Sequence, residues 1–366
     1  MEQIILYEKN QYEKLDEWLS DKKTLVVCGS GYRYINKAKS VIDSHRSTVL
    51  FDNFKPNPVY ESVLEGVDVF RKNKCDAVMA VGGGSAIDLA KCIRIFSTMQ
   101  HDKNYLDQEI KKNDIPLLVI PTTAGTGSEA TRYAVIYKDG EKQSITSEYC
   151  IPEIVLFDPD NLNSLPEYQR KATMMDAFAH SLESMWSINS TEESMEYASE
   201  ALELIKTNIY GYMENTYEGN LYMLKASNLA GKAINISQTT AGHAMCYKIT
   251  GLFGCAHGHA AMMCNRILFP WMIEHMEKCV DERGQEHLKN AFQKIGIVLG
   301  LHSAGEAVDY VERVYSELKL YIPNPNKDQL AVLCKSVNAD RLKNNPIMLD
   351  TEDIKILYKK ILGVNY

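Results

Sequence analysis

Apolar runs of strand length alternate with stretches of helical length over the first ~160 residues. The runs are TLVVC (24–28), TVLFD (48–52), AVMAV (77–81) and PLLVI (116–120). This alternation predicts βα units and a parallel sheet. YAVIYKDGEKQSI follows, with Asp139-Gly140 between two alternating runs, which predicts a hairpin. IVLFDP (154–159) is the last strand run. From about residue 165 Ala, Leu, Met, Glu and Lys dominate and the pattern is helical nearly to the end. Asn324-Pro325-Asn326 and Asn344-Asn345-Pro346 mark loops between late helices. Two domains are expected: an α/β domain over 1–162 and an all-α domain over 163–366. No internal repeat or low-complexity tract interrupts them.

Two strand ends carry ligand-binding chemistry. AVMAV runs into Gly82-Gly83-Gly84-Ser85 and a helix begins at once. Glycines let a phosphate approach the backbone, and the free amides of the helix start hold the anion. A tight turn with no ligand remains the alternative. The next strand ends in Pro121-Thr122-Thr123-Ala124-Gly125-Thr126-Gly127-Ser128-Glu129, a second loop of small and hydroxyl residues. In open α/β sheets ligands lie at the carboxyl ends of strands, so the two loops together suit one extended phosphate-bearing ligand. Cys28-Gly29-Ser30-Gly31 lacks the third glycine of GxGxxG and by itself says little.

In the helical half, DAFAHSLESMW puts Asp176 and His180 four residues apart, on one face of a helix that also carries Met174, Met175, Phe178, Leu182 and Met185. Most such pairs are surface pairs or satisfied core histidines. His243 and His257, set among small and apolar residues, change that balance. One Asp and three His complete a ligand set for Fe²⁺ or Zn²⁺, and coordination offsets the cost of burying them. His259 is either a group behind the ligands or a helix-start residue.

The totals remove other classes. The 366 residues are 45% hydrophobic and 24% charged, with net charge −8 at pH 7. Scattered basic residues on an acidic chain argue against nucleic acid. Nine cysteines stand without a CxxC pair, which argues against a thiolate zinc site and fits reduced thiols in a cytoplasm. The N-terminal MEQIILYEKNQYEK has no apolar core of signal-peptide length, and no apolar run approaches ~18 residues, so no membrane span is expected.

Taken in order, these motifs resemble the iron-containing (group III) metal-dependent alcohol dehydrogenases. GGGSAIDLAK, PTTAGTGSEAT, MDAFAH, the fourteen-residue interval from His243 to His257, and RLKNNPIMLDTEDI carry the resemblance along nearly the whole chain. It implies a Rossmann-like dinucleotide-binding domain followed by a helical metal domain, the dehydroquinate-synthase-like architecture, with the site in the cleft between them. It implies Asp176, His180, His243 and His257 as metal ligands. Gly82, Gly83, Gly84 and Ser85 would hold the pyrophosphate of NADH or NADPH. Asp88, Thr122, Thr123, Thr126, Ser128 and Lys142 would line the cofactor.

Three positions depart from many relatives. Tyr247 stands where they carry a proton-relay histidine, leaving Tyr247, His259, a water chain or the cofactor ribose as the proton source, beside the catalytic lysine Lys142. Gly29 stands where an Asp rejects the 2′-phosphate, so NADPH should be accepted. HAMCYKIT…HGHA and SEATRYAVIY look like phosphonoacetaldehyde reductases of phosphonate biosynthesis, with Lys248 and Arg132 as candidate head-group cations. The expected activity is hydride transfer to a small aldehyde, in a homodimer. Alternatives are a reductase of simple short-chain aldehydes and alcohols, a dehydroquinate-synthase-like lyase or glycerol-1-phosphate dehydrogenase, and a non-catalytic scaffold.

Overall fold

A computed structural model describes residues 3–337 and 339–365. The chain forms two compact units, Met1–Leu165 with Asn215–Leu224, and Pro166–Glu214 with Lys225–Tyr366.

The first unit holds strands β1 (Ile4–Leu6), β2 (Thr24–Cys28), β3 (Val49–Phe51), β4 (Ala77–Gly82), β5 (Leu117–Pro121), β6 (Tyr133–Lys138), β7 (Glu141–Thr146) and β8 (Ile154–Leu156). Six of them form one parallel sheet in the order β1-β8-β5-β4-β2-β3. Helices α1 (Gln11–Ser20), α2 (Lys37–Ser44), α3 (Tyr60–Lys72) and α4 (Gly84–Phe96) cover it. Alternate residues of a strand serve opposite faces. Leu25, Val27, Val78, Ala80, Leu117 and Val119 pack with Val63, Val67 and Ile87 of α3 and α4. Val26, Cys28, Met79, Val81, Leu118 and Ile120 pack with Leu15, Leu19, Ala38 and Ile42 of α1 and α2. β2, β4 and β5 are buried at every position, which is why they read as unbroken apolar runs.

The hairpin forms as predicted, β6 pairing antiparallel with β7 through Asp139 at φ 52° and Gly140 at φ 78°. Lys91 on α4, fully buried, ties the hairpin down: its Nζ donates to the carbonyls of Ser128 (2.5 Å), Thr131 (2.9 Å) and Tyr133 (2.7 Å). β1 is absent from the sequence reading. Three residues carry no legible period, and only pairing with β8 makes them a strand.

Beyond residue 165 every regular element among the described residues is helical: α5 (Glu167–Trp186), α6 (Glu192–Met213), α7 (Tyr217–Ser237), α8 (Ala241–Phe253), α9 (His257–Glu274), α10 (Gly284–Val298), α11 (Ala304–Glu317), α12 (Lys327–Lys335), α13 (Ala339–Leu342) and α14 (Thr351–Leu362). The Asn-Pro loops fall between α11 and α12 and between α13 and α14. α5 is buried without a break from Met174 to Trp186 and packs on α6 and α9. Gly254, left-handed at φ 69°, ends α8, and three residues later α9 starts. That short turn folds α9 back on α8. At Gly258 a Cβ would come 2.2 Å from the Ala172 carbonyl and 2.4 Å from Asp176 Cβ, so the start of α9 can rest on α5 only because a glycine stands there. No helix among the described residues is long and apolar enough to cross a membrane.

Candidate active site

In the first unit the carboxyl ends of β2, β4 and β5 lie side by side. Gly82 pairs with Pro121, the Thr122 amide donates to the Gly82 carbonyl (3.1 Å), and the Gly29 amide donates to the Val81 carbonyl (3.1 Å). A Cβ on Gly83 would sit 3.0 Å from Thr123 Oγ1, and one on Gly84 would sit 3.2 Å from Thr126 Cγ2. The two loops therefore touch, with Thr122, Thr123 and Thr126 half-exposed beside the first turn of α4. Ser85 Oγ accepts from the Asn57 amide (3.1 Å). Asp88 and Ser128 are turned to internal work: Ser128 Oγ donates to Asp88 Oδ1 (2.6 Å), and the Val135 amide donates to Asp88 Oδ2 (3.1 Å). Burial raises the Asp88 pKa, opposed by Lys91. Lys142 is exposed on β7. Gly29 is extended, and nothing lies within 4 Å of a Cβ added there.

In the second unit, Asp176 from α5, His243 from α8 and His257 from α9 bring ligand atoms within 4.8 Å of one another. Asp176 Oδ1 lies 3.5 Å from His243 Nε2. Both atoms are buried with no hydrogen-bond partner among the described residues, and an orphaned carboxylate oxygen facing an orphaned imidazole nitrogen fits a divalent cation. His180 stands beside this triad. Its Nε2 is 3.9 Å from Asp176 Oδ1 and its ring stacks on His243 at 4.6 Å between centroids.

Sequence reasoning missed Glu183. It is fully buried one helical turn beyond His180, and its Oε1 accepts from His243 Nδ1 (2.5 Å) and Asn265 Nδ2 (2.7 Å), its Oε2 from the Thr240 amide (2.5 Å) and hydroxyl (2.9 Å). The signal was present: Asp176, His180 and Glu183 fall at i, i+4 and i+7, one face of α5. Burial acts to lower the His243 pKa, yet the Glu183 and Asp176 carboxylates raise it to about 10. Burial likewise opposes ionisation of Asp176 and Glu183, but the neighbouring imidazoles hold both at about 2. Two ionised carboxylates thus face a His243 held in its protonated form.

The iron-containing alcohol dehydrogenase family model matches residues 3–159, and the Fe-containing alcohol dehydrogenase C-terminal model matches residues 171–362. The chain belongs to this family. The NAD-dependent methanol dehydrogenase of Bacillus methanolicus is 27% identical over 344 residues, covering 89% of this chain and 87% of that protein. The NADPH-dependent butanol dehydrogenase of Clostridium saccharobutylicum is 29% identical over 341 residues, covering 88% and 84%. The crystal structure of an iron-containing alcohol dehydrogenase from Thermotoga maritima superposes with TM-score 0.82 at 28% identity, covering 100% and 99%. The chain is thus an oxidoreductase of the alcohol dehydrogenase type.

The remaining family-aligned residues separate by position. Tyr247, one turn after His243 on α8, stacks on His257 at 5.5 Å and 18°. His259 does not join the cluster. Two residues beyond His257 on a helix means ~200° around it. Its Nδ1 meets the Tyr168 hydroxyl (3.1 Å) and its Nε2 the Tyr315 hydroxyl (3.2 Å), and burial lowers its pKa to about 4. It is a helix-start residue held by two tyrosines. Lys248 lies five residues from His243, ~140° around α8, and is exposed. Arg132 stacks over the Tyr133 ring at 5.5 Å and pairs with Glu148 at 3.3 Å, so its charge has local partners.

Proposed function

We propose that the chain is a metal-dependent, NAD(P)H-linked reductase of short aldehydes. The observation that carries this reading is the Asp176–His243–His257 triad, with buried Asp176 Oδ1 and His243 Nε2 left without a hydrogen-bond partner among the described residues, in a chain of this family. The α/β domain would take the dinucleotide, with Gly82, Gly83, Gly84 and Ser85 at the pyrophosphate and Thr122, Thr123 and Thr126 alongside. The start of α4 supplies unpaired amides for that role. The helical domain would hold the metal through Asp176, His243 and His257, with His180 as the fourth ligand. Bound there, Fe²⁺ or Zn²⁺ supplies Lewis acidity at the substrate oxygen, and the nicotinamide supplies the hydride.

Glu183, by accepting a hydrogen bond from His243 Nδ1, leaves Nε2 as the ligating atom. Tyr247 is the proposed proton donor, because His259 is tied to two tyrosines on another face of α9. The open space at Gly29 supports use of NADPH as well as NADH. An aldehyde with an anionic head group, phosphonoacetaldehyde above all, is the proposed substrate on the strength of the sequence resemblance. A second reading, simple short-chain alcohols, is favoured by the names of the methanol and butanol relatives. A homodimer belongs to the same proposal, as does a cytoplasmic setting, which the nine cysteines without a bridge among them support.

The test is NADPH oxidation by the metal-loaded protein with a panel of short aldehydes, with and without chelator. His243→Ala should lose metal content and turnover together. Full turnover by metal-free His243→Ala protein would sink the reading.

A further inference from the structure

We propose that Tyr168 is a positioning residue for the metal centre: its hydroxyl caps α9 from α5 and so fixes His257. This rests on the metal-dependent reading and deepens it. α9 has Ala256 as its N-cap, His257 and Gly258 as its first two residues and His259 as its third. Alanine offers no side-chain acceptor, and the N-cap side chain makes no capping hydrogen bond here. In a capping box the side chain of the third helical residue reaches back to the N-cap amide. Tyr168, from the first turn of α5, stands between those two groups. Its hydroxyl accepts from the Ala256 amide (2.8 Å) and meets His259 Nδ1 (3.1 Å). The His259 side chain thus reaches the N-cap amide through one phenol oxygen. With the oxygen accepting from the amide, the hydroxyl proton goes to Nδ1, and Nε2–H is left to donate to the Tyr315 hydroxyl (3.2 Å).

The cap acts on a short link. Only Gly254, Cys255 and Ala256 join α8, which carries His243, to α9, which opens with His257. A rotation of the first turn of α9 therefore moves His257 directly against His243 and Asp176. α5 holds that turn at two points. Gly258 rests on Asp176, where a Cβ would come 2.4 Å from Asp176 Cβ, and the Tyr168 hydroxyl holds Ala256. The residues on either side of His257 are thus both fixed to the helix that supplies Asp176. The Tyr168 ring is itself packed: it stacks on Tyr321 at 6.4 Å between centroids, and Tyr321 meets His259 edge-on at 5.2 Å.

The test compares the full-length wild type, Tyr168→Phe and Tyr315→Phe. Tyr168→Phe removes the capping oxygen and keeps the ring. Tyr315→Phe removes a hydroxyl from the other side of the same imidazole and leaves the Ala256 amide capped. Zn²⁺ affinity in a chelator competition should fall by about tenfold in Tyr168→Phe and by less than about twofold in Tyr315→Phe. The visible absorption bands of the Co²⁺-loaded protein, which report ligand geometry, should change in Tyr168→Phe alone. At saturating metal, kcat of Tyr168→Phe should fall while KM for NADPH stays constant. Hydrogen exchange of the metal-free proteins should show the Ala256 amide opening about tenfold faster in Tyr168→Phe. Unchanged Zn²⁺ affinity or unchanged Co²⁺ bands in Tyr168→Phe, or equal losses in the two variants, would overturn the proposal and leave the metal centre intact. Wild type that binds neither Zn²⁺ nor Co²⁺ would overturn the metal reading, and the proposal with it.

Discussion

A carboxylate removed from water is costly unless donors surround it. Glu183 has five from three residues, His243, Asn265 and Thr240. Gly242 leaves the space for them: a Cβ there would lie 2.0 Å from Asn265 Oδ1 and 2.6 Å from Glu183 Oε1. Carboxylates behind histidine ligands typically change metal affinity ten- to a hundredfold. Glu183→Gln should therefore weaken Fe²⁺ or Zn²⁺ binding by about that factor in a chelator competition. Glu183→Ala should also destabilise the fold by about 3–5 kcal/mol in urea, because it leaves buried donors unsatisfied. Unaltered metal affinity in Glu183→Gln would show that the charge is dispensable. At this scale the sequence offered residue types and spacings but not directions. The same helical arithmetic that places Glu183 with Asp176 sends Lys248 and His259 away from His243 and His257, and only the packing of α5, α8 and α9 says which face is inside.

The most legible elements are those whose pattern is local. A strand covered on both faces must be apolar throughout, and an Asp-Gly pair tolerates the left-handed turn of the β6–β7 hairpin. The glycine loops were legible for a similar reason, since a side chain at Gly83 would crowd Thr123, its Cβ only 3.0 Å from Oγ1. Gly29 differs, because it has room. Gly29→Asp should fit without strain and place a carboxylate after β2. Two unit charges ~4 Å apart at an effective dielectric of ~20 interact by roughly 4 kcal/mol before relaxation. Steady-state kinetics should show kcat/KM falling tenfold or more with NADPH and staying nearly constant with NADH. An equal fall with both cofactors would mean that the carboxylate disturbs the loop rather than the 2′-phosphate. β1 marks the opposite case, three residues whose strand character comes wholly from β8.

For the whole molecule, His259 couples stability to pH. Its folded pKa of about 4 lies below its ordinary value of 6.5, so it is neutral when folded and the unfolded chain takes up its proton first. The stability it contributes is present above about pH 6.5 and is lost as pH falls toward 4. His287, also lowered by burial, acts in the same direction. Asp176 and Glu183, held at about 2, lose their contribution only at lower pH, as it falls below ordinary carboxylate values. His243 is raised, so its contribution is constant across this window. Urea midpoints of the metal-free protein should therefore drop between pH 6.5 and 4.5, and His259→Gln should flatten that drop. An equal slope in the variant would remove His259 from the account. What the sequence by itself determined follows from rules that act over a few residues: a parallel-sheet domain before a helical one, phosphate-cradling loops at strand ends, and a D-x-x-x-H pair awaiting two more histidines. What only the tertiary structure decided concerns residues far apart in the chain. It set Glu183 behind His243, turned Asp88 and Ser128 inward, and enclosed His259 between two tyrosines. Periodicity fixes which residues share a face; which faces meet is fixed by the packing of whole helices, and that is where charges find their partners.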